Sequence, residues 1–212
     1  MTNQLREGLP PLPPKMAHLH IDERGFPVPY FVQWIDGKPD HRIIDPAKKV
    51  KCVKYNQCWL CGQPLGKYLA FVIGPMCAVN RVNSEPPSHV DCARYAVRAC
   101  PFLSKPHMHR RETGMPENAI EPAGMHLAHN PGAMALWVTT SYKPIRVEGG
   151  ELYDLGPLVD VTWWHEGREA TREEAMAALE KGLPVLRALA EEDGSGATLM
   201  ARTVELMKLL PP

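Results

Sequence analysis

CWLCGQPLG, residues 58–66, and SHVDCARYAVRAC, residues 88–100, decide how this chain is read. In the first, Cys58 and Cys61 stand two residues apart and Gly62 follows. Such a pair is part of a disulfide framework, a redox pair or half of a metal site, depending on compartment and context. The second stretch repeats the spacing with His89 and Cys92, after an insert of 27 residues. Two soft ligand pairs separated by a hairpin-length insert are the pattern of a structural zinc, closed by four ligands. Gly62 lets the chain turn so that both sulfurs face one point. Ser88 is placed to cap a helix that ends before Pro101. His89 and Cys92, at i and i+3, then leave one face of its first turn, where the helix dipole favours a thiolate.

The other readings of the cysteines lose ground on context. The N-terminal MTNQLREGLPPLPPK has no apolar segment and no small-residue cleavage site, so no secretory signal is expected and the cytoplasm is the expected location. Thiols stay reduced there. No βαβ pattern surrounds the CxxC, as a redox pair would want. Cys77, in a turn after an apolar strand, is an alternative to His89 as fourth ligand. Cys100 lies about two helical turns beyond Cys92, too far for the same ion. Cys52 and Cys100 read as small core residues.

A CxxCG knuckle followed by HxxC at a helix start resembles a treble-clef zinc finger over about residues 57–100. That resemblance implies a knuckle, a β-hairpin and then a helix whose first turn completes the site. The block from PYFVQW through CWLCG to SHVDCARYAVRACPFL, with the later WWHEGREATREE…GLP, looks like a family of uncharacterised proteins of bacteria and their phages. It implies zinc binding and a cytoplasmic or phage setting, with no settled activity.

The chain of 212 residues has no net charge, yet its charge is segregated. Residues 42–111 carry 12 lysines and arginines against 3 acids, a local excess of nine that the flanks cancel. A basic cysteine-rich centre suggests a polyanionic partner, DNA or RNA. Lys48, Lys49, Lys51, Arg94, Arg98, Arg110 and Arg111 are the candidate phosphate contacts. An acidic protein partner, with the chain as an adaptor, is the alternative. Internal neutralisation by the acidic flanks is the structural one. No run of 18 apolar residues occurs, so no membrane span is expected.

Outside the zinc pattern the elements are short, and 22 prolines argue for irregular connections. Residues 1–16, with PPLPP, read as an extended or disordered arm. Residues 28–45 read as a hairpin turned at Asp36-Gly37, broken at Asp45-Pro46. KYLAFVIGPMC reads as a strand stopped at Gly74-Pro75, and 81–89 as a loop. Residues 133–147 read as a strand, 150–156 as its possible partner, and 159–168 as another strand on which Trp163 and Trp164 alternate between core and surface. Thr171 and Glu174 form a capping box. The helix it starts is expected to stop at Gly182, with Pro184 opening a second one to Glu192. A last amphipathic helix covers about 197–210, with Leu199, Val204, Leu206, Met207 and Leu210 towards the core. The whole reads as an α+β protein with a zinc-stabilised, treble-clef-like centre. It divides into an arm (1–16), hairpin plus zinc module (17–111), an irregular His/Pro-rich connection (112–132), and strands followed by helices (133–212).

Catalytic patterns are sparse. Four good ligands leave the zinc no open position. HExxH and the deaminase HxE…PCxxC are absent. Nucleases of the His-Asn-His class place a catalytic His between the ligand pairs. Here there is none, although Asn83 stands near the place of the Asn. His18 and His20 form HLH, a metal-hydrolase opening if both rings share a strand face. His107, His109, His126 and His129 form a looser group that allows a second metal and a hydrolase. Tyr142, Lys143 and Arg146 allow a base-stacking face, against ordinary strand packing.

Overall fold

Strand β1 (Val32–Ile35) and strand β2 (Lys38–Ile44) form the expected hairpin. Asp36 and Gly37 between them both take positive φ, 49° and 76°, as a tight type I′ turn requires. Asp45 then does more than break a strand. Its carboxylate accepts hydrogen bonds from the Ala47 and Lys48 amides and, with Pro46 in the first turn, starts helix α1 (Pro46–Lys54). The computed structural model describes residues 3–105, 108, 113–115, 123–124 and 130–212.

The chain continues through β3 (Leu69–Ile73), α2 (Pro75–Asn80), β4 (Val82–Asn83), α3 (Val90–Ala99) and α4 (Pro101–Ser104). Then follow β5 (Met134–Thr139), β6 (Tyr142–Val147), β7 (Gly150–Leu155), β8 (Leu158–His165), β9 (Arg168–Glu169), α5 (Arg172–Glu192) and α6 (Gly196–Met207). The fold is mixed α+β with three antiparallel sheets. The central sheet has the order β3-β5-β8-β9, and a second sheet has the order β4-β7-β6.

The central sheet is covered on both faces. Phe71, Ile73, Ala135, Trp137 and Trp163 point to one side, where Ala78, Ala175, Leu179 and Leu206 of the helices meet them. Ala70, Leu136, Val138 and Trp164 point to the other, against Ala93 and Val97 of α3. Every residue of β5 is therefore buried. This corrects the expectation for Trp163 and Trp164: the pair alternates between two cores, at 2% and 7% exposure, and neither ring faces solvent.

Three further expectations change. Residues 133–147 are two strands in different sheets, because the chain turns at Thr140-Ser141. Thr139 Oγ1 donates to the Ser141 carbonyl there. The C-terminal part of the capping-box helix does not stop at Gly182: α5 runs 21 residues with Pro184 inside it. Gly182 instead makes room for α2, since a Cβ there would lie 2.6 Å from Met76 Cγ. On α6, Leu199 and Leu206 are buried with Leu210, but Val204 and Met207 face outward.

Candidate metal centre

The knuckle is built by backbone hydrogen bonds. The Cys58 amide donates to the Gln63 carbonyl and the Gly62 amide to the Cys58 carbonyl, each at 2.8 Å. Gly62 has φ 74°, and a Cβ on it would lie 2.6 Å from the Tyr30 ring. No other residue suits both demands. On the far side, Ser88 pairs with Ala70 of β3 through two 2.8 Å hydrogen bonds. That bridge fixes where the chain enters α3. The helix cap is thus His89, extended at φ −64° and ψ 148°, in place of the Ser88 expected.

Cys58, Cys61, His89 and Cys92 converge as the spacing requires. Their ligand atoms all lie within 4.8 Å of one another, and all four residues are buried. His89 Nδ1 is 3.4 Å from Cys61 Sγ and 3.8 Å from Cys92 Sγ. Its Nε2 lies 3.0 Å from the Pro64 carbonyl, which can only accept, so Nε2 carries the proton and Nδ1 turns its lone pair inward. The Cys58 sulfur accepts from the amides of His89 at 3.3 Å and Cys61 at 3.5 Å. These four side chains could hold a metal ion.

The three thiols set one another's acidities. Hydrogen bonds from the Cys61 and Cys92 thiols, with the two amides, pull the Cys58 thiol far down. The same contact with Cys58 pushes Cys61 up to about 11 and Cys92 higher still. One negative charge is easily held among three packed sulfurs, and a second or third is not, unless a positive ion shares the space.

The remaining cysteines stay out of the cluster. Cys52 packs behind the knuckle, its Sγ 3.9 Å from the Cys58 carbonyl, and burial pushes its thiol up to about 12. Cys77 and Cys100 are free thiols whose acidity burial also weakens.

An apolar jacket surrounds the three cysteines: Met16, Leu60, Tyr95 and Ala99, with Leu9 and Leu12 from the N-terminal arm and Leu19 just beyond it against them. Residues 3–13 have no regular element, yet Leu9 and Leu12 pack them onto the cluster. His18 Nε2 approaches the Cys61 carbonyl at 3.0 Å, while His20 meets Trp34 edge-on at 5.3 Å. The HLH pair therefore divides between two neighbourhoods. Sequence reasoning missed Met16, His18 and the Pro64 carbonyl as supports of the site. A backbone carbonyl leaves no mark on a sequence pattern, and the arm carries no periodicity.

The basic candidates separate into two groups. Lys48 Nζ is tied to the Val32 carbonyl at 2.7 Å and to Asp45 at 3.7 Å. Lys49 Nζ donates to the Ser84 carbonyl and lies over the Tyr153 ring, and its burial lowers its pKa. Both staple α1 to the rest of the chain. Lys51 and Arg98 are exposed, and Arg94 is exposed with Asp91 at 3.2 Å. Arg110 and Arg111 lie outside the described residues, as do His107, His109, His126 and His129, on which a hydrolase would rest. Asn83 donates to the Glu85 carbonyl, a turn contact. Tyr142 packs edge-on against Phe71 and Tyr153, so its ring serves the core.

No family model, no curated protein and no solved structure matches this chain. Among the described residues no helix is long and apolar enough to cross a membrane.

Proposed function

We propose that Cys58, Cys61, His89 and Cys92 hold a structural zinc, and that the surface around it binds nucleic acid. Zinc bonds of about 2.3 Å to sulfur and about 2.0 Å to nitrogen place neighbouring ligands on the order of 3.5–3.8 Å apart. The Sγ–Nδ1 separations of 3.4 and 3.8 Å agree with that. Three thiolates and an imidazole suit zinc and leave it no open position, so its role is scaffolding. The knuckle, the Ala70–Ser88 bridge and α3 form a treble-clef-like frame around it. Three thiolate ligands also favour a reducing, cytoplasmic location.

The observation that carries the nucleic-acid reading is the charge on α1 and the knuckle. Residues 46–68 contain five lysines and no acid. Lys51, Lys54 and Lys67 among them are exposed, and among the described residues none pairs with a carboxylate. Lys51 and Arg98 are its phosphate contacts, with Arg94, whose pair with Asp91 is exposed and can yield to a phosphate, and Arg110 and Arg111 belong to the same proposal. Lys48 and Lys49 drop out, because their ammonium groups are already engaged.

The test is fluorescence anisotropy with labelled DNA and RNA on protein shown by elemental analysis to hold one zinc. Affinity is expected to fall with salt, with a log–log slope of about −0.7 to −0.9 per phosphate neutralised. Zinc-loaded protein that binds neither DNA nor RNA at low salt would sink the reading.

A further inference from the structure

Six tyrosines occur in the chain, and their placement is uneven. Tyr30 packs over Gly62, Tyr95 and Tyr153 are buried, and Tyr142 meets Phe71 and Tyr153. The remaining two, Tyr55 and Tyr68, are 58% and 49% exposed. Both follow a lysine, and both flank the metal-binding knuckle: KYNQCWLCGQPLGKY, residues 54–68. Lys54 Nζ lies 5.2 Å from the Tyr55 ring centroid and Lys67 Nζ 5.5 Å from that of Tyr68.

The knuckle limits how far apart the two dipeptides stand. Gln57 bridges Pro64, and the Leu65 amide donates to the Asn56 carbonyl at 2.8 Å. Tyr55 is one residue from that hydrogen bond and Tyr68 three, so their Cα atoms lie within roughly 20 Å by chain length alone. Both tyrosines border regular elements. The Tyr55 amide closes the last turn of α1 by donating to the Lys51 carbonyl at 2.9 Å. Tyr68 stands directly before buried Leu69, the first residue of β3.

We propose that Lys54-Tyr55 and Lys67-Tyr68 form a stacking platform for single-stranded nucleic acid, an inference that rests on the nucleic-acid reading above. Exposed rings offer flat faces on which unpaired bases stack, and the adjacent ammonium groups meet the phosphates between them. A duplex hides its base faces within its own stack, so the rings gain nothing from it. Lys51, on the last turn of α1, extends the charge along the strand path. The rings are indifferent to sugar type, so DNA and RNA strands share the chemistry, and the experiment carries one arm for each.

The experiment uses zinc-loaded protein with fluorescein-labelled 15-mers of deoxythymidine and of uridine, and a labelled 15-base-pair duplex. Wild-type protein is expected to bind a single strand more tightly than the duplex. Tyr55→Ala and Tyr68→Ala should each weaken single-strand binding by about 5- to 150-fold, the range for loss of one stacked base. Duplex affinity, zinc content and melting temperature should not change. Tyr55→Phe and Tyr68→Phe keep the ring and should keep the affinity. The proposal is overturned if the alanine variants bind single strands as wild type does. If Lys51→Ala and Lys67→Ala still weaken all probes in that case, nucleic-acid binding stands and only the platform fails. If wild type binds no probe at low salt, both fall.

Discussion

Around Trp137 the chain buries Phe71, Ile73, Tyr153, Trp163, Leu179 and Leu206, large apolar side chains drawn from two sheets and two helices. Around Cys58 it buries Met16, Leu60, Cys61, Cys92, Tyr95 and Ala99, held by an irregular arm, a tight loop and one helix. The first cluster is a core in the ordinary sense. In the second, three of the seven buried members are thiols that the metal would ligate. Helix α3 and the central sheet stand between them: α3 turns Cys92, Tyr95 and Ala99 towards the second cluster and Ala93 and Val97 towards the sheet face opposite Trp137. The difference teaches where each half would get its stability: from buried area on one side, and on the other, with the proposed zinc bound, from an ion.

The largest expected effect follows from that contrast. Structural zinc supplies about 10–16 kcal/mol to folding in zinc-finger peptides, as much as the whole stability of a typical domain. Cys58→Ser, Cys92→Ser or strong chelation should therefore unfold the arm and the knuckle. Hydrogen exchange should show loss of protection at the amides of Cys58, Gly62 and Leu65, with protection retained in β5 and β8. A single cooperative transition that also removes protection from β5 would break the comparison and make α3 a coupling element.

The converse experiment strikes the other core. Trp137 is 1% exposed, and its indole N–H has no hydrogen-bond partner among the described residues. Trp137→Ala should cost about 3–5 kcal/mol by lost burial and cavity formation, with no hydrogen bond to lose. Urea denaturation measures the cost, and elemental analysis should still find one metal per folded chain. Loss of metal in this variant would show that the ion site depends on the sheet.

Gly182→Ala sharpens the packing argument at smaller scale. Alanine for glycine inside a helix ordinarily stabilises by about 1 kcal/mol. Here the new Cβ lies 2.6 Å from Met76 Cγ, so the Met76 side chain or the two helices must shift, at about 1–3 kcal/mol. A net fall in stability of up to about 2 kcal/mol is expected, relieved when Met76→Ala is added. A stabilised single variant would mean that Met76 moves aside at no cost.

What the sequence made legible divides along the same line. The cluster of Cys58, Cys61, His89 and Cys92 was readable because a metal-site pattern restricts residue type and spacing together. The hairpin turn at Asp36-Gly37 and the cap at Thr171 were readable because they use local chemistry. The two sheets were not, because β5 and β6 are continuous in sequence, and β5 is drawn into a separate sheet only by pairing with the distant β3 and with β8. Gly182 and Pro184 together gave a local stop signal that α5 overrides, through burial of Leu179, Gly182, Leu186 and Ala190. The basic residues were legible as charge but not as surface. Lys49 and Lys51 look alike in sequence, and only the fold shows one tethered and the other exposed.

The smallest effect belongs to the capping box of α5, far in role from the ion. Thr171 Oγ1 accepts from the Glu174 amide at 3.3 Å, and the Glu174 carboxylate accepts in return from the Thr171 amide at 2.9 Å. Arg168 grips the same carboxylate with both terminal nitrogens, at 2.9 and 2.6 Å. Those bonds, the Arg168 fork first, hold the Glu174 pKa at about 2, below its ordinary 4.5. A depressed carboxyl stabilises the folded state above its ordinary pKa. The contribution should fade as pH falls from about 4.5 towards 2. Thr171→Ala should cost about 1 kcal/mol near neutral pH. Glu174→Gln should remove the pH-dependent part and leave metal content untouched. Because Arg168 is exposed, salt should shrink the Glu174 contribution as well. Thermal melts of both variants across pH 2–7 test this. An acid-dependence in Glu174→Gln identical to wild type would mean that other carboxylates set the acid limit of the sheet half.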